Sequence, residues 1–304
     1  LPHIPPLRHV TKSGLGIDVV IPWSGEPSDD LSGVNRDDGI IRFTVRSLIK
    51  HMPWVQNIYI FSDPTKPPSW LTEFSSKVHL INRCEHFIGG EGNCPTQNSF
   101  AAEANYHTIP GLSEQFIVCH DDIVITSPLA PERFFSDGKV VTAVSGTGSG
   151  IYTGVMTKGG VSYVTELDTS YQSGGLRKLP SKLPKKLHVH NQHNPVGILK
   201  SEIVKMHDEY TEWFSFVSSH RTRFCFDKRS NDVRATPGNH NGGCYREHTF
   251  GAFLWYLNRK GLLKVPLRGS AIDQFEVSYG TISSQALGKE LVPGKQATVN
   301  INDS

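Results

Sequence analysis

The sequence has no apolar run approaching the ~20 residues of a membrane-spanning helix, and no signal peptide or lipid anchor is visible. It lacks any strong charge bias: 31 Lys and Arg face 29 Asp and Glu, a net +2 that points away from nucleic-acid binding. Its five cysteines include no Cys-x-x-Cys pair, which argues against a structural zinc site. The Gly-rich run "SGTGSGIYTG" (145–154) lacks the Lys-Ser/Thr of a phosphate loop and reads as turn chemistry. No internal repeat and no strongly biased segment occurs. At 304 residues, 37% apolar and 20% charged, the chain can bury a sizeable core. Leu1 at the start and the abrupt end at Ser304 suggest the trimmed catalytic part of something longer.

Cys84 with Cys94 and Cys225 with Cys244 could each close a short loop, leaving Cys119 alone in an apolar strand. Such pairing suits an oxidising lumen. Asn302-Asp303-Ser304 is the one glycosylation sequon.

"IDVVIPW" (17–23) reads as a buried first strand, followed by turn residues. From Asp37 a helical period begins, with Ile40, Ile41, Val45, Leu48, Ile49 and Met52 on one face and Pro53 as the stop. Asp37 and Asp38 would occupy its first turn, where the helix dipole favours negative charge. Arg42 and Arg46 project together from one side. "NIYIFSD" (57–63) and "KVHLIN" (77–82) follow as strands. "PTQNSFAAEANYHTIPGL" reads as a helix capped by Asn98 or Thr96 that places Ser99, Glu103 and His107 on one face.

"FIVCHDDIVI" (116–125) then sets His120, Asp121 and Asp122 between two apolar runs. Adjacent carboxylates repel, and burying either without a partner is costly. Either the strand ends there and they face water, or a cation holds them. Strand–helix alternation predicts an α/β sheet, whose sites lie at the carboxyl ends of the strands. Asp121 and Asp122 would sit there. Further on, "RKLPSKLPKKLH" (177–188) reads as a basic linker that could meet an anionic acceptor. Helices are expected over about 197–213 and over 245–260, the second built on Phe250, Phe253, Leu254 and Leu257 and ended by Gly261.

In their order along the chain, "IDVVIPW", "RDDGIIRFTVRSLIKHMPWVQNIYIFSD", "PSWL" and "PTQNSFAAEANYHTIPGLSEQFIVCHDD" resemble the Stealth family of sugar-1-phosphate transferases. That family includes bacterial capsule polymerases and a lysosomal-targeting N-acetylglucosamine-1-phosphotransferase. "HNP" at His193 and "SHRTR" (219–223) look like its third region, and the terminal "VNIND" like its fourth. Three features depart from the pattern: Gly39 and Ile40 replace two glutamates, His120 replaces an Asn, and an insertion lies largely between Asp227 and Cys244.

The resemblance implies a nucleotide-diphospho-sugar transferase-like (GT-A/Rossmann-like) fold, a mixed α/β sheet flanked by helices. It also implies a single catalytic domain over 1–304. Within it, 17–143 would form the nucleotide-sugar core, 144–190 a Gly/Ser-rich and basic insertion, and 191–304 a helical part completing the site. The expected reaction is metal-dependent transfer of a sugar-1-phosphate to a glycan hydroxyl, releasing nucleoside monophosphate. The alternatives are a glycosyltransferase releasing diphosphate and a silent glycan-binding domain. Asp121 and Asp122 would hold Mg²⁺ or Mn²⁺. Arg42, Arg46, Arg221 and Arg223 would contact phosphate, with Asn98 and His193 beside the substrate. Asp18, Trp23 and Asp37 would line the nucleotide site, Asp37 among the catalytic groups. The base is expected at His248 or His220, with Glu247 orienting His248 or completing the metal shell; His107 and His120 are weaker candidates. The partners would be a UDP-N-acetylglucosamine or GDP-mannose type donor and a glycan or glycoprotein acceptor, without nucleic acid. A Golgi lumen, or alternatively a bacterial cytoplasm, would house it.

Overall fold

Strand β1 (Ile17–Trp23) is buried at all seven positions, the mark of a central strand covered on both faces. The computed structural model describes residues 16–23, 39–62, 70–71, 76–90, 93–94, 96, 99–141, 195–219, 225–227, 232–234, 253–254, 256–257, 260–264, 274–278 and 298–302. β2 (Ile58–Ser62) and β3 (Val78–Asn82) lie parallel to β1 on one side. β4 (Gln115–Val118) lies parallel on the other, and β8 (Val196–Leu199) closes that edge antiparallel. The sheet order is β3-β2-β1-β4-β8, a mixed α/β sheet as expected.

Two cores follow from the two faces of the strands. Val19, Ile21, Ile58, Ile60 and Ile117 pack on Ile41, Val45, Leu48 and Met52 of α1 (Ile40–His51). Val20, Tyr59, Phe61, Phe116 and Val118 face the other way, among residues of α2 (Ser99–Glu103), α3 (Lys200–Glu209) and α4 (Thr211–Ser219). The alternation along each strand is the ordinary period of two.

Three expectations are corrected. Helix α1 begins at Ile40 after Gly39, which takes φ 85°, so no acidic residue stands in its first turn. The strand before the carboxylates does end there: β4 stops at Val118, and β5 (Ile123–Ile125) joins a different sheet. The helix over "SFAAEANYHT" is one short segment and then a 3-10 turn at Tyr106–Thr108, so Ser99, Glu103 and His107 do not share a continuous face. Residues 196–199 form β8 before α3 starts, because the apolar run Val-Gly-Ile-Leu caps the open edge of β4. Phe253, Leu254, Tyr256 and Leu257 are helical and buried, and Gly261 takes φ 70° after them.

The smaller strands are β6 (Phe135–Ser136), β7 (Lys139–Val141), β9 (Cys225–Asp227), β10 (Asp232–Arg234), β11 (Leu263–Lys264), β12 (Gln274–Ser278) and β13 (Thr298–Asn302). β13 pairs antiparallel with β5, Asn300 opposite Ile123. Cys84 and Cys94 form a disulfide, and Cys119 is a buried free thiol. The Cys225–Cys244 pairing involves Cys244, outside the described residues.

Candidate active site at the sheet's switch point

β1 continues to β2 on one side, whereas β4 joins β1 on the other. Such a reversal opens a crevice at the carboxyl ends of the two strands, where α/β sheets bind ligands. β4 ends at Val118, and Cys119 donates its main-chain N–H to Val20 O at 3.0 Å. The chain then leaves the sheet in a turn closed by Ile123 N–H on His120 O at 3.3 Å. His120, Asp121 and Asp122 are half-buried on it, while Cys119 and Ile123 on either side are fully buried. Two neighbouring carboxylates cannot continue into the core, so the strand ends before them and β5 starts only at the next apolar residue, Ile123.

The Cys119 thiol is pushed well above its ordinary pKa, first by burial and then by the charges of Asp122 and Asp121. Both carboxylates thus lie near enough to that thiol for their charge to reach it. Among the described residues no group of three or more His, Cys, Asp and Glu gathers. Asp121 and Asp122 can therefore supply two oxygen ligands, and the remaining positions on Mg²⁺ or Mn²⁺ ordinarily go to water and substrate phosphate.

Trp23 lies at this same edge, at the carboxyl end of β1, buried and edge-on to Trp70 with ring centroids 6.4 Å apart. Helix α1 is tied to the turn: Thr44 Oγ1 donates to Asp121 O at 2.6 Å, and Ser47 Oγ accepts from Ile125 N–H at 2.9 Å. Arg42 is half-buried and Arg46 exposed. At 3.6 residues per turn both start ~160° around the helix from Thr44, so their Cβ atoms face away from the carboxylate turn.

Asp18 does not join this site. It is fully buried at the opposite, amino end of β1. Its Oδ1 accepts from Asn57 N and Nδ2, each at 3.0 Å, and its Oδ2 accepts from Ser113 N at 2.7 Å. Both oxygens hold loops in place. His107 packs on the rings of His207 at 5.3 Å and Phe214 at 5.8 Å, and burial with the nearby His207 and Lys200 lowers its pKa to about 4. Asp37, Asn98, His193, His220, Arg221, Arg223, Glu247 and His248 lie outside the described residues.

Two features escaped the sequence reading. Thr44 and Ser47 are buried on the apolar face of α1, and hydroxyls within an apolar stripe are the signal that could have singled them out. The β13–β5 pairing has no local signal at all.

The sheet and its acidic turn define an α/β protein with two adjacent carboxylates at the switch point of its sheet. Residues 35–143, which contain α1 and that turn, match the family model of Stealth protein CR2, conserved region 2. Over that region the chain is similar to the Stealth family. It is 29% identical over 188 residues to the exopolysaccharide phosphotransferase CpsY of Mycobacterium tuberculosis, covering 62% of this chain and 34% of that protein. It is 40% identical over 113 residues to the receptor polysaccharide phosphotransferase WefC of Streptococcus gordonii, covering 36% of this chain and 33% of that one. The chain thus spans about a third of the length of these relatives. The solved galactosyltransferase LgtC, in complex with donor and acceptor sugar analogs, gives a TM-score of 0.43 at 10% identity over 94% of this chain and 87% of that one. A score that low carries no argument. No described helix is long and apolar enough to cross a membrane.

Proposed function

We propose that this chain is the catalytic α/β part of a sugar-1-phosphate transferase acting on a nucleotide-diphosphate sugar. The observation that supports this reading most is the Asp121–Asp122 turn, set at the switch point inside the region matching the family model. In the reaction the acceptor hydroxyl oxygen attacks the phosphorus bearing the sugar, and the bond from that phosphorus to the nucleoside phosphate breaks. The hydroxyl proton passes to a base, for which His248 and His220 are the candidates. Bound Mg²⁺ or Mn²⁺ would supply charge neutralisation on the diphosphate. Asp121 and Asp122 would hold that ion, with Trp23 at the carboxyl end of the neighbouring strand β1. Arg221 and Arg223 are the preferred phosphate contacts. Arg42 follows, being in the first turn of α1; Arg46 is the weakest of the four. The acceptor is a glycan hydroxyl, and the donor class is open between uridine and guanosine diphosphate sugars.

The bridge between Cys84 and Cys94 favours an oxidising compartment. The relatives named above are bacterial and lend no support to a Golgi lumen.

The test is to incubate the purified chain with a panel of nucleotide sugars, Mg²⁺ or Mn²⁺, and glycan acceptors, and to identify the nucleotide released. Monophosphate supports the proposal; diphosphate makes the protein a glycosyltransferase. Metal-dependent affinity for nucleotide sugar without turnover makes it a binding domain. Asp121→Ala and Asp122→Ala should each remove turnover while leaving the melting temperature nearly unchanged, since half-exposed carboxylates on a turn contribute little to folding.

A further inference from the structure

Two hydroxyls on the buried face of α1 meet the acidic turn and the strand that follows it. Thr44 is fully buried, and its single hydroxyl proton goes to Asp121 O at 2.6 Å. Ser47 gives its proton to Thr44 O at 2.8 Å, so towards β5 it can only accept, and Ile125 N–H donates to it at 2.9 Å. A hydroxyl carries one proton, so the two contacts have opposite polarity: Thr44 requires a carbonyl and Ser47 an N–H. They bracket the carboxylates, one at Asp121 and the other three residues beyond Asp122. Slipping the turn by one residue would reverse every side chain of β5 and set donor against donor.

We propose that Thr44 and Ser47 are positioning residues, a polarity-matched lock that holds the Asp121–Asp122 turn in one register on α1 and so sets the geometry of the cation site. The inference rests on the reading of Asp121 and Asp122 as metal ligands. A cation is gripped well only when its carboxylates are already oriented, and groups that orient ligands commonly contribute 10–100-fold in metal affinity. Asp121 contributes its carbonyl to the lock and its carboxylate to the cation, so the two functions meet in one residue.

The experiment measures Mn²⁺ affinity of the whole chain by calorimetry or electron paramagnetic resonance, alongside the melting temperature without metal. Thr44→Val keeps the shape and removes the proton; it should weaken Mn²⁺ binding about 10-fold. Thr44→Ser restores the donor and should bind Mn²⁺ close to wild type, a rescue that a purely steric role of the threonine methyl would not give. Loss of transfer in Thr44→Val should be recovered by raised Mn²⁺, with kcat returning toward wild type. If Thr44→Val does not fold, Ser47→Ala decides by the same measurement, since it removes the acceptor for Ile125 N–H. Unchanged Mn²⁺ affinity in the folded variants, with wild-type binding intact, overturns the lock and leaves the metal reading standing. Absence of Mn²⁺ binding in the wild type overturns both.

Discussion

Replacing Asp18 by alanine is expected to destabilise the fold while leaving Mn²⁺ binding at the acidic turn unaltered. The carboxylate has no exposed surface, and its loss removes the acceptor of two main-chain donors, Asn57 N and Ser113 N, and of the Asn57 side-chain amide. A donor left without its partner costs about 1–3 kcal/mol. Asn57 and Ser113 are themselves half-buried, so water can reach them in part and the lower end of that range applies. Two main-chain donors at roughly 1.5 kcal/mol each give about 3 kcal/mol. For a domain of this size that lowers the melting temperature by roughly 6–12 °C, at about 2–4 °C per kcal/mol. Asp18→Asn keeps the acceptor at one oxygen but turns an N–H₂ group toward one of the donors, so its loss should be intermediate.

Asp18 and the carboxyl end of β1 are five residues apart, or ~16 Å at ~3.3 Å per residue. Thermal melting and Mn²⁺ calorimetry on the same preparations therefore separate two roles. A melting temperature within a degree or two of wild type, together with lost nucleotide-sugar affinity, would refute the structural assignment and return Asp18 to the nucleotide site.

Three other outcomes are expected. The folded chain keeps His107 neutral to about pH 4, against 6.5 ordinarily, so the unfolded chain takes up a proton first as the solution is acidified. Stability should be full above pH ~6.5 and fall by on the order of 2–3 kcal/mol as pH drops toward 4; urea midpoints at pH 7 and 5 in wild type and His107→Leu should show a flatter dependence in the variant, and equal slopes would contradict it. Arg221→Lys or Arg223→Lys keeps the charge but not the bidentate geometry, and should slow turnover on the order of 10²-fold with a smaller loss of donor affinity; wild-type turnover in both would remove them from the phosphate contacts. Cys84→Ser should lower stability by roughly 3 kcal/mol for a short closed loop, and non-reducing peptide mapping of wild type should recover the Cys84–Cys94 pair; free thiols at both positions would contradict the bridge.

Which parts of this fold could be read from sequence depends on how far apart the determining groups lie. β1, β2, β3 and the apolar face of α1 are written in local periods of two and 3.6, and those elements appear within a few residues of their expected bounds. The break between β4 and β5 was half visible, since two carboxylates in an apolar run have to leave the core. That β5 then turns to β13, with Asn300 opposite Ile123, depends on a strand at the far end of the chain. No window of neighbouring residues contains that information. The same holds for β8, whose apolar run is too short to distinguish strand from helix until the bare edge of β4 is known.

The carboxylates show the limit most clearly. From sequence, Asp18 and the Asp121–Asp122 pair look alike: acidic groups embedded in β-branched runs. What separates them is who satisfies them. Asp18 draws its donors from loops 39 and 95 residues away, both oxygens are engaged internally, and none of its surface reaches solvent. Such a carboxylate has its energetic reason for being there inside the fold, and nothing remains for a ligand to do. Asp121 and Asp122 stand half-exposed on a turn whose main chain, not whose carboxylates, is fastened by Thr44. Fixing the backbone of that turn sets two like charges side by side, where they repel each other. On the proposed reading, a cation held at the carboxyl ends of β1 and β4 would relieve that repulsion and in turn carry the diphosphate.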